Sequence, residues 1–474
     1  MTNHALKTVD EWTPLTCRQR AQVLGQVASE IQSSADELIE LCRSDQRTEA
    51  TETISAELLP LCAALAYLNK NAAKILQPRR CGFIGRPVWL WGVHSRVMRR
   101  PFGTVLVLGP WNYPLLLVGT QIAQSLVAGN HVLVKPAEGC EASTAKMVDC
   151  FYAAGVPRSH LTLLDSSVAA ATDTIGNGVD LVVLTGGAQT GRKVMQQLAQ
   201  TLTPSIMELS GCDAVVVLPG SDLRRVAKAI DFGLNFNSGA TCIGPRRLFV
   251  MQESADEVID AIRLQIADRG DVVVHLAARD HVADEIQAAL RNGATNTMGG
   301  DFNAQQLRET GKMKPVVLDG VASTDPIASA DIFAPVISVI RINEIDQAAR
   351  AINRCRYRLA ASVFGPSAQA NAFANQLDVG SVTINDLVAP TADPRLPFGG
   401  RGQSGFGVTR GREGLLAMTV PVVVSERRGS FTPHLDRHSE SLQNLVSGML
   451  AMLHAAKWSE RLSGLRNIIR SVKK

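Results

Sequence analysis

The chain has 474 residues, of which 46% are apolar and 19% charged, with 38 glycines and 21 prolines. That length suggests two to four domains, and that composition excludes a peptide, a collagen-like fibre and a disordered polymer. The net charge is +4, but residues 439–474 hold six Lys or Arg against two acids while the remainder is balanced at 42 of each, so a nucleic-acid-binding body is not expected.

No apolar run reaches the roughly 18 to 20 residues that a membrane span needs, and Met1–Asp10 lacks the basic and apolar blocks of a signal peptide. A cytoplasmic protein is expected. Nine cysteines (17, 42, 62, 81, 140, 150, 212, 242 and 355) contain no C-x-x-C pair. They read as reduced thiols, not as a disulfide framework or zinc ligands, and no metal site is expected.

Residues 11–76 read as helical, with apolar residues three and four apart at Val23, Val27, Ile31, Leu38 and Leu41. Pro87–Met98 roughly alternates apolar and polar residues, which predicts a hairpin. Short apolar strands then alternate with helices. Strands are predicted at Thr104–Leu108, His131–Val134, Leu161–Leu164, Asp180–Leu184 and Ser205–Leu209, and helices at Leu115–Ala128, Ala142–Ala154 and Arg192–Leu202. Continuous apolar strands spaced by helices imply an α/β, doubly wound, mostly parallel sheet covered on both faces. A second series of similar design is expected at Ala214–Leu218, Arg247–Val250, Val272–His275, Val316–Leu318, Val336–Ile340 and Ser381–Ile384. A last strand is predicted at Thr419–Ser425. After a hydrophilic linker comes an amphipathic helix with a basic face, apolar at positions from 442 to 472.

Ligands of open parallel sheets bind beyond the carboxyl ends of the strands, so the turns there are searched for chemistry. Gly109-Pro110-Trp111-Asn112-Tyr113-Pro114 places an amide at the sheet top, and Lys135-Pro136-Ala137-Glu138 places a cation and a carboxylate. Taken singly, Lys135 reads equally as a solvated charge and Glu138 as a helix-start acid. Thr185-Gly186-Gly187-Ala188-Gln189-Thr190-Gly191 reads either as a phosphate-binding turn at a helix start or as a tight connection whose backbone angles call for glycine. Glu208 ends a strand, and Cys242 lies in Asn237-Ser238-Gly239-Ala240-Thr241-Cys242, where nearby glycines allow close approach to the thiol. A lone cysteine is otherwise a small buried hydrophobe. His434 and His438 read as a solvated pair.

The ordered set P-W-N-Y-P, K-P-A-E, T-G-G-A-x-x-G, M-E-L-S-G, N-S-G-A-T-C, D-I-F-A-P-V, G-S-V-T-I-N and P-F-G-G-x-x-x-S-G-F-G closely resembles the NAD(P)-dependent aldehyde dehydrogenase superfamily from about residue 10 to 428. It is similar to the shorter fatty- and aromatic-aldehyde-type members. The resemblance implies Cys242 as nucleophile, Asn112 and the Cys242 N–H as oxyanion donors, and Glu208 as the base that hydrolyses the thioester. It implies Lys135 and Glu138 at the adenine ribose, Gly186 and Gly187 at the pyrophosphate, and Asp331 with Phe333 at the nicotinamide ribose and ring. A carboxylate at 138 accepts from a ribose 2′-hydroxyl and repels a 2′-phosphate, which favours NAD over NADP.

The same resemblance implies a dinucleotide-binding domain of residues 1–82 and 102–208, a catalytic domain of 209–414, and bridging strands at 83–101 and 415–428 through which dimers or tetramers form. Residues 429–474 are left as linker and basic helix, docking on an anionic membrane, a partner protein or the body itself. Six positions depart from the family pattern: Ala240 for Gln, Ser210 for Gly, Cys212 for Lys, Gly187 for a hydroxyl residue, Asp331 for Glu and Ala334 for Gly. The competing expectations are a CoA-acylating aldehyde dehydrogenase, against which Glu208 argues, and a catalytically weak homologue kept as a scaffold.

Overall fold

The computed structural model describes residues 11–430, 432–435 and 437–472. The first ten residues of the expected nucleotide domain, and Lys473 and Lys474 of the tail, lie outside the described residues. The chain divides into two compact units, one of residues up to 77 with 99–421, and one of 78–98 with the chain from 422 onward.

The larger unit holds two sheets. In the first, β1 (Thr104–Leu108), β2 (His131–Lys135), β3 (Leu161–Leu163), β4 (Leu181–Gly186) and β5 (Ser205–Leu209) are parallel, in the order β5-β4-β1-β2-β3. The strand order reverses at β1, as in a dinucleotide-binding sheet, and the crevice there is where ligands of such folds lie. In the second sheet, β6 (Asp213–Val217), β7 (Pro245–Met251), β8 (Thr295–Asn296), β9 (Val316–Asp319), β10 (Val336–Ile342), β11 (Ala360–Phe364) and β12 (Ser381–Ile384) run in the order β8-β9-β10-β7-β6-β11-β12, with only β8 antiparallel. Val105, Leu106 and Val107 of β1 and Val215 and Val216 of β6 are wholly buried, which explains their uninterrupted apolar runs: helices cover both faces of each sheet. Helices α1 (Cys17–Ser33) and α2 (Leu59–Leu76) pack on each other and, with α3 (Leu116–Ala128), cover the first sheet.

Several elements differ from expectation for identifiable reasons. The helix after β4, α4, is Ala188–Leu198, so Gly191 lies inside it and Gly187 is its N-cap. Val168–Gly176 forms a helix that its sequence hardly signals: only Ile175 is buried, and the Ser167 hydroxyl accepts from Ala170 N to start it. β11, between β6 and β12, was not anticipated because Ala360, Ala361 and Ser362 carry too little apolar side chain to register as a strand. Within the expected catalytic domain of 209–414, Gly405–Phe406 (β13) pairs antiparallel with β5, opposite Glu208 and Met207, and returns the chain to the first sheet.

In the smaller unit a three-stranded sheet joins Arg79–Cys81, Val93–Pro101 and Thr419–Arg427. Arg79–Cys81, expected with the nucleotide domain, pairs antiparallel with residues 95–97. The predicted hairpin at Pro87–Met98 is therefore one strand only. Its first half is a 3-10 turn closed by Leu90 N to the Pro87 carbonyl (2.9 Å), with Trp89 and Trp91 exposed. The tail is two helices instead of one, α5 (Glu440–His454) and α6 (Trp458–Val472), with Ala455 capping the first.

Candidate active site

All nine positions singled out from the sequence line one cleft of about 750 Å³: Asn112, Lys135, Glu138, Gly186, Gly187, Glu208, Cys242, Asp331 and Phe333. Four lie where strands of the first sheet end or just beyond them, so the shared direction of those strands gathers residues distant in sequence. Trp111, His275, Leu359 and Phe398 join them in the lining. Trp111 stacks on His275 at 4.1 Å between ring centroids and tilts against Phe333 at 5.9 Å, giving the cleft an aromatic wall. Sequence reading missed His275 because a histidine's meaning depends on what faces it.

The loop that carries Cys242 is strained and heavily bonded. Asn237 and Ser238 sit at φ +52° and +53°, the left-handed region that costs a non-glycine residue about 1 kcal/mol or more. Gly239 follows at φ +76°, and a Cβ there would lie 2.5 Å from the Ala334 carbonyl carbon, so the turn admits no side chain. The side chains offset the strain: Asn237 Nδ2 donates to the Asn112 carbonyl (3.1 Å) and the Ala240 carbonyl (3.4 Å), and Ser238 Oγ donates to the Gln46 carbonyl (2.8 Å). Arg246 Nη2 donates to the carbonyls of Gly239 (2.6 Å) and Thr241 (3.0 Å). Tyr113 Oη and Thr241 Oγ1 share a hydrogen bond of 2.5 Å.

Asn112 is fixed from both ends. Its Nδ2 donates to the Ala240 carbonyl (3.0 Å), which leaves one amide proton for a ligand. Its own carbonyl accepts from Arg47 Nη2 (2.6 Å), and Arg47 Nη1 pairs with Glu57 (2.8 Å). Glu57 Oε2 accepts from the N–H groups of Leu115 and Leu116 (2.9 and 2.7 Å), at the start of α3. Burial pushes the Glu57 carboxyl upward, opposed by Arg47. This buried pair had no signal in the sequence, since Arg47 and Glu57 belong to no motif and meet Asn112 only through folding.

Glu208 is 3% exposed at the end of β5. Its Oε1 accepts from the Thr409 hydroxyl, and its Oε2 from Thr185 Oγ1 (3.3 Å) and Gln121 Nε2 (3.4 Å). Burial raises its pKa above the carboxylate range, against the nearby Arg410 charge and these hydrogen bonds. Burial also pushes the Cys242 thiol up to about 12, helped by the carboxylates of Asp213 and Glu208 and opposed by Arg410. Arg410 is itself buried. It stacks 4.3 Å over the Phe398 ring, donates from Nη1 to the Thr391 carbonyl (2.7 Å), and makes no ion pair among the described residues.

The opposite end of the cleft fits a dinucleotide. Gly187 caps α4 with no side chain on the helix's first N–H groups, and a Cβ at Gly187 would meet nothing within 4 Å, so anion-binding donors face open space. Neither glycine has positive φ. The expectation that backbone angles call for them is corrected: they leave room. Lys135 lies near enough to Asp165 to lower its pKa but makes no ion pair among the described residues, and buried Asp331 Oδ1 lacks a hydrogen-bond partner while lining the cleft. Burial raises the Asp331 pKa, opposed by Ser210 and Arg246. Cys212, the departure from Lys, is fully buried beside Cys355 and donates to the Ala328 carbonyl (3.6 Å), away from solvent.

Two α/β layers facing across a cleft, with a thiol at one end and a bare helix start at the other, define a nucleotide-dependent oxidoreductase class. Residues 1–424 match the model of the aldehyde dehydrogenase family. The chain is 32% identical to the 4,4'-diapolycopene aldehyde oxidase of a Methylomonas species over 87% of this chain and 78% of that one. It is 31% identical to the NADP-dependent succinate-semialdehyde dehydrogenase of Deinococcus radiodurans over 86% of each. Its fold matches the NAD+-complexed aldehyde dehydrogenase of Mycobacterium tuberculosis with a TM-score of 0.78, at 24% identity over 87% of this chain and 86% of the other. The chain belongs to the aldehyde dehydrogenase family, and it is an NAD(P)-dependent oxidoreductase that converts an aldehyde to a carboxylic acid.

Proposed function

We propose that the reaction runs through Cys242 and that the substrate is a long apolar aldehyde. Cys242 releases its proton to solvent and adds through Sγ as thiolate to the carbonyl carbon, and the resulting oxyanion is held by the free amide proton of Asn112 and the backbone N–H of Cys242; losing one such donor typically slows acyl chemistry by about 10² to 10³. Bound NAD supplies the hydride acceptor and a positive charge beside the thiol. Glu208 takes a proton from the water that attacks the thioester, and the burial that raises its pKa makes the carboxylate a stronger base for that step. Lys135 and Glu138 hold the adenine ribose, Gly186 and Gly187 the pyrophosphate, and Asp331 and Phe333 the nicotinamide end. Glu138 makes NAD the preferred cofactor.

The observation that carries this reading is that the nine candidate residues, drawn from six separate segments, line one cleft in which Glu208 is buried and Cys242 half-buried. The apolar substrate is supported by the cleft's lining of Trp111, Leu117, Phe333, Leu359 and Phe398. Its lysines, Lys135 and Lys193, belong to the nucleotide end, which leaves no lysine or arginine in the lining near the thiol to pair with a semialdehyde's carboxylate. The Methylomonas relative is named for a long polyene aldehyde. The test is NADH formation with a series of aldehydes of rising chain length and with succinate semialdehyde, in NAD and NADP separately. Faster turnover of succinate semialdehyde than of long aldehydes, or acyl-CoA in place of acid when CoA is present, overturns the reading.

The nine cysteines are all free thiols, consistent with a cytoplasmic enzyme. The edge strand Thr419–Arg427, with Val423 exposed, is proposed to pair with a second copy to form a homodimer or the half of a tetramer. The C-terminal helices are read as an attachment element.

A further inference from the structure

The smaller unit differs from the rest of the protein in charge and in surface. Residues 78–98 and 422–474 hold 13 Lys or Arg and four acids, a net +9, while the remaining chain holds 35 against 40, a net −5. Dividing the sequence at residue 439 concealed this, because Arg79, Arg80, Arg86 and Arg96 join the tail only through the fold. Among the described residues, 13 of the 24 exposed large apolar side chains also belong to this unit, including the three exposed tryptophans Trp89, Trp91 and Trp458.

The helices α5 and α6 form an antiparallel hairpin. A Cβ on Gly448 would lie 2.8 Å from the Gly464 carbonyl oxygen, Ser441 Oγ donates to the Ser471 carbonyl (3.3 Å), and Leu445 is buried. These residues mark the seam. The apolar stripe seen in the sequence is only partly consumed there: Val446, Leu450, Trp458, Leu462, Leu465 and Ile469 are 41–76% exposed. At 3.6 residues per turn, the exposed positions of each helix lie roughly 90–170° round from its seam, in the same rotational sense along each chain direction. Because the helices run antiparallel, equal offsets of the same sense bring the two stripes to one face. The opposite face carries Asn444, Ser447, Glu460 and Asn467. Arg466 and Arg470 border the apolar face on the side of α6 away from α5.

We propose that this face of the hairpin seats the protein on an anionic lipid bilayer, with the apolar stripes among the headgroups and the arginines on their phosphates. The proposal deepens the reading of the tail as an attachment element and does not depend on the chemistry of Cys242. No helix among the described residues is long and apolar enough to cross a membrane, and a basic, two-sided hairpin of this kind lies on a surface instead. Tryptophan at the edge of an apolar face suits the same interface.

The test is co-sedimentation of the full chain with vesicles of phosphatidylcholine alone and of phosphatidylcholine mixed with phosphatidylglycerol. Binding to the mixed vesicles should exceed that to neutral ones by about tenfold and weaken at high salt. Leu462→Glu with Ile469→Glu should reduce it by at least about tenfold, and Arg466→Glu with Arg470→Glu should abolish the preference for anionic vesicles. Both pairs alter exposed positions, and an unchanged thermal transition checks that each variant folds. Cys242→Ala should bind as the parent does, so a failure of the thiol mechanism stays separable from a failure of attachment. The proposal falls if the parent does not bind the mixed vesicles, if the apolar double variant binds as well as the parent, or if that variant loses oligomer mass in light scattering while keeping its vesicle affinity.

Discussion

The two ends of the cleft are built on opposite principles. At the thiol end, Asn112, Glu208 and the loop around Cys242 are buried; Arg47, Glu57, Asn237 and Arg246 hold the first and the last, and Thr409, Thr185 and Gln121 hold Glu208, with bonds that leave little freedom. At the nucleotide end, Gly187 opens on empty space, Glu138 is exposed and Lys135 is half-buried without an ion pair among the described residues. Fixed donors serve a step in which charge develops on an oxygen, because they need no reorganisation as it forms. An open end serves a cofactor that must enter and leave on every turnover.

The contrast breaks most directly at the proposed nucleophile: Cys242→Ala should lower NADH formation by at least about 10⁴-fold while leaving cofactor binding, read by fluorescence quenching, close to the parent's. A smaller loss that tracked cofactor binding would erase the distinction between the ends. Next comes the buried ion pair. Arg47→Met strands Glu57 in an apolar setting and removes a bond from the Asn112 carbonyl, so urea unfolding should show a loss of about 3–5 kcal/mol. Glu138→Ser, at the exposed end, should leave that stability unchanged.

The pH dependence of thiol alkylation sharpens the comparison. With the Cys242 thiol held up at about 12, its thiolate is scarce at neutral pH, so iodoacetamide labelling of the cofactor-free enzyme should rise about tenfold per pH unit over pH 7–10. Arg410→Met removes a charge that acts to lower that pKa and should slow labelling by a few-fold at each pH, on the order of half a pKa unit. Labelling that levels off near pH 8 would mean the thiol is not buried as described. The smallest effect is at the ribose. Glu138→Ser should shift the ratio of NAD to NADP efficiency toward NADP by about tenfold, by removing a carboxylate that repels a 2′-phosphate.

Much of the fold was legible because parallel strands buried on both faces leave continuous apolar runs: Thr104–Leu108 and Ser205–Leu209 have the predicted limits. β11 was hidden because Ala360 and Ala361 pack well without a long apolar side chain. Pro87–Leu90 misled because alternation means a strand only where one side is buried, and Trp89, Leu90 and Trp91 are all exposed. In the site, the glycines stood out through a short motif in a strand-end turn, and Cys242 through one just ahead of β7. Glu57, Arg47, Thr409 and Arg410 act through contacts spanning 58 to 286 residues, as in Glu57 to Leu115, Arg47 to Asn112, Thr409 to Glu208 and Arg410 to Gln124, which no local window contains.

What the linear order of residues determined by itself was the succession of strands and helices and the chemical identities at each strand's end, since both follow from side-chain size, polarity and short-range periodicity. What only the tertiary structure decided was the environment of those groups. The depth that raises the Cys242 and Glu208 pKa values, the pairing of Gly405 with Glu208 across the sheet, and the gathering of distant arginines with the tail into one basic unit all depend on distances through space. Electrostatic and desolvation energies depend on those distances and on burial, and neither is a property of position along the chain.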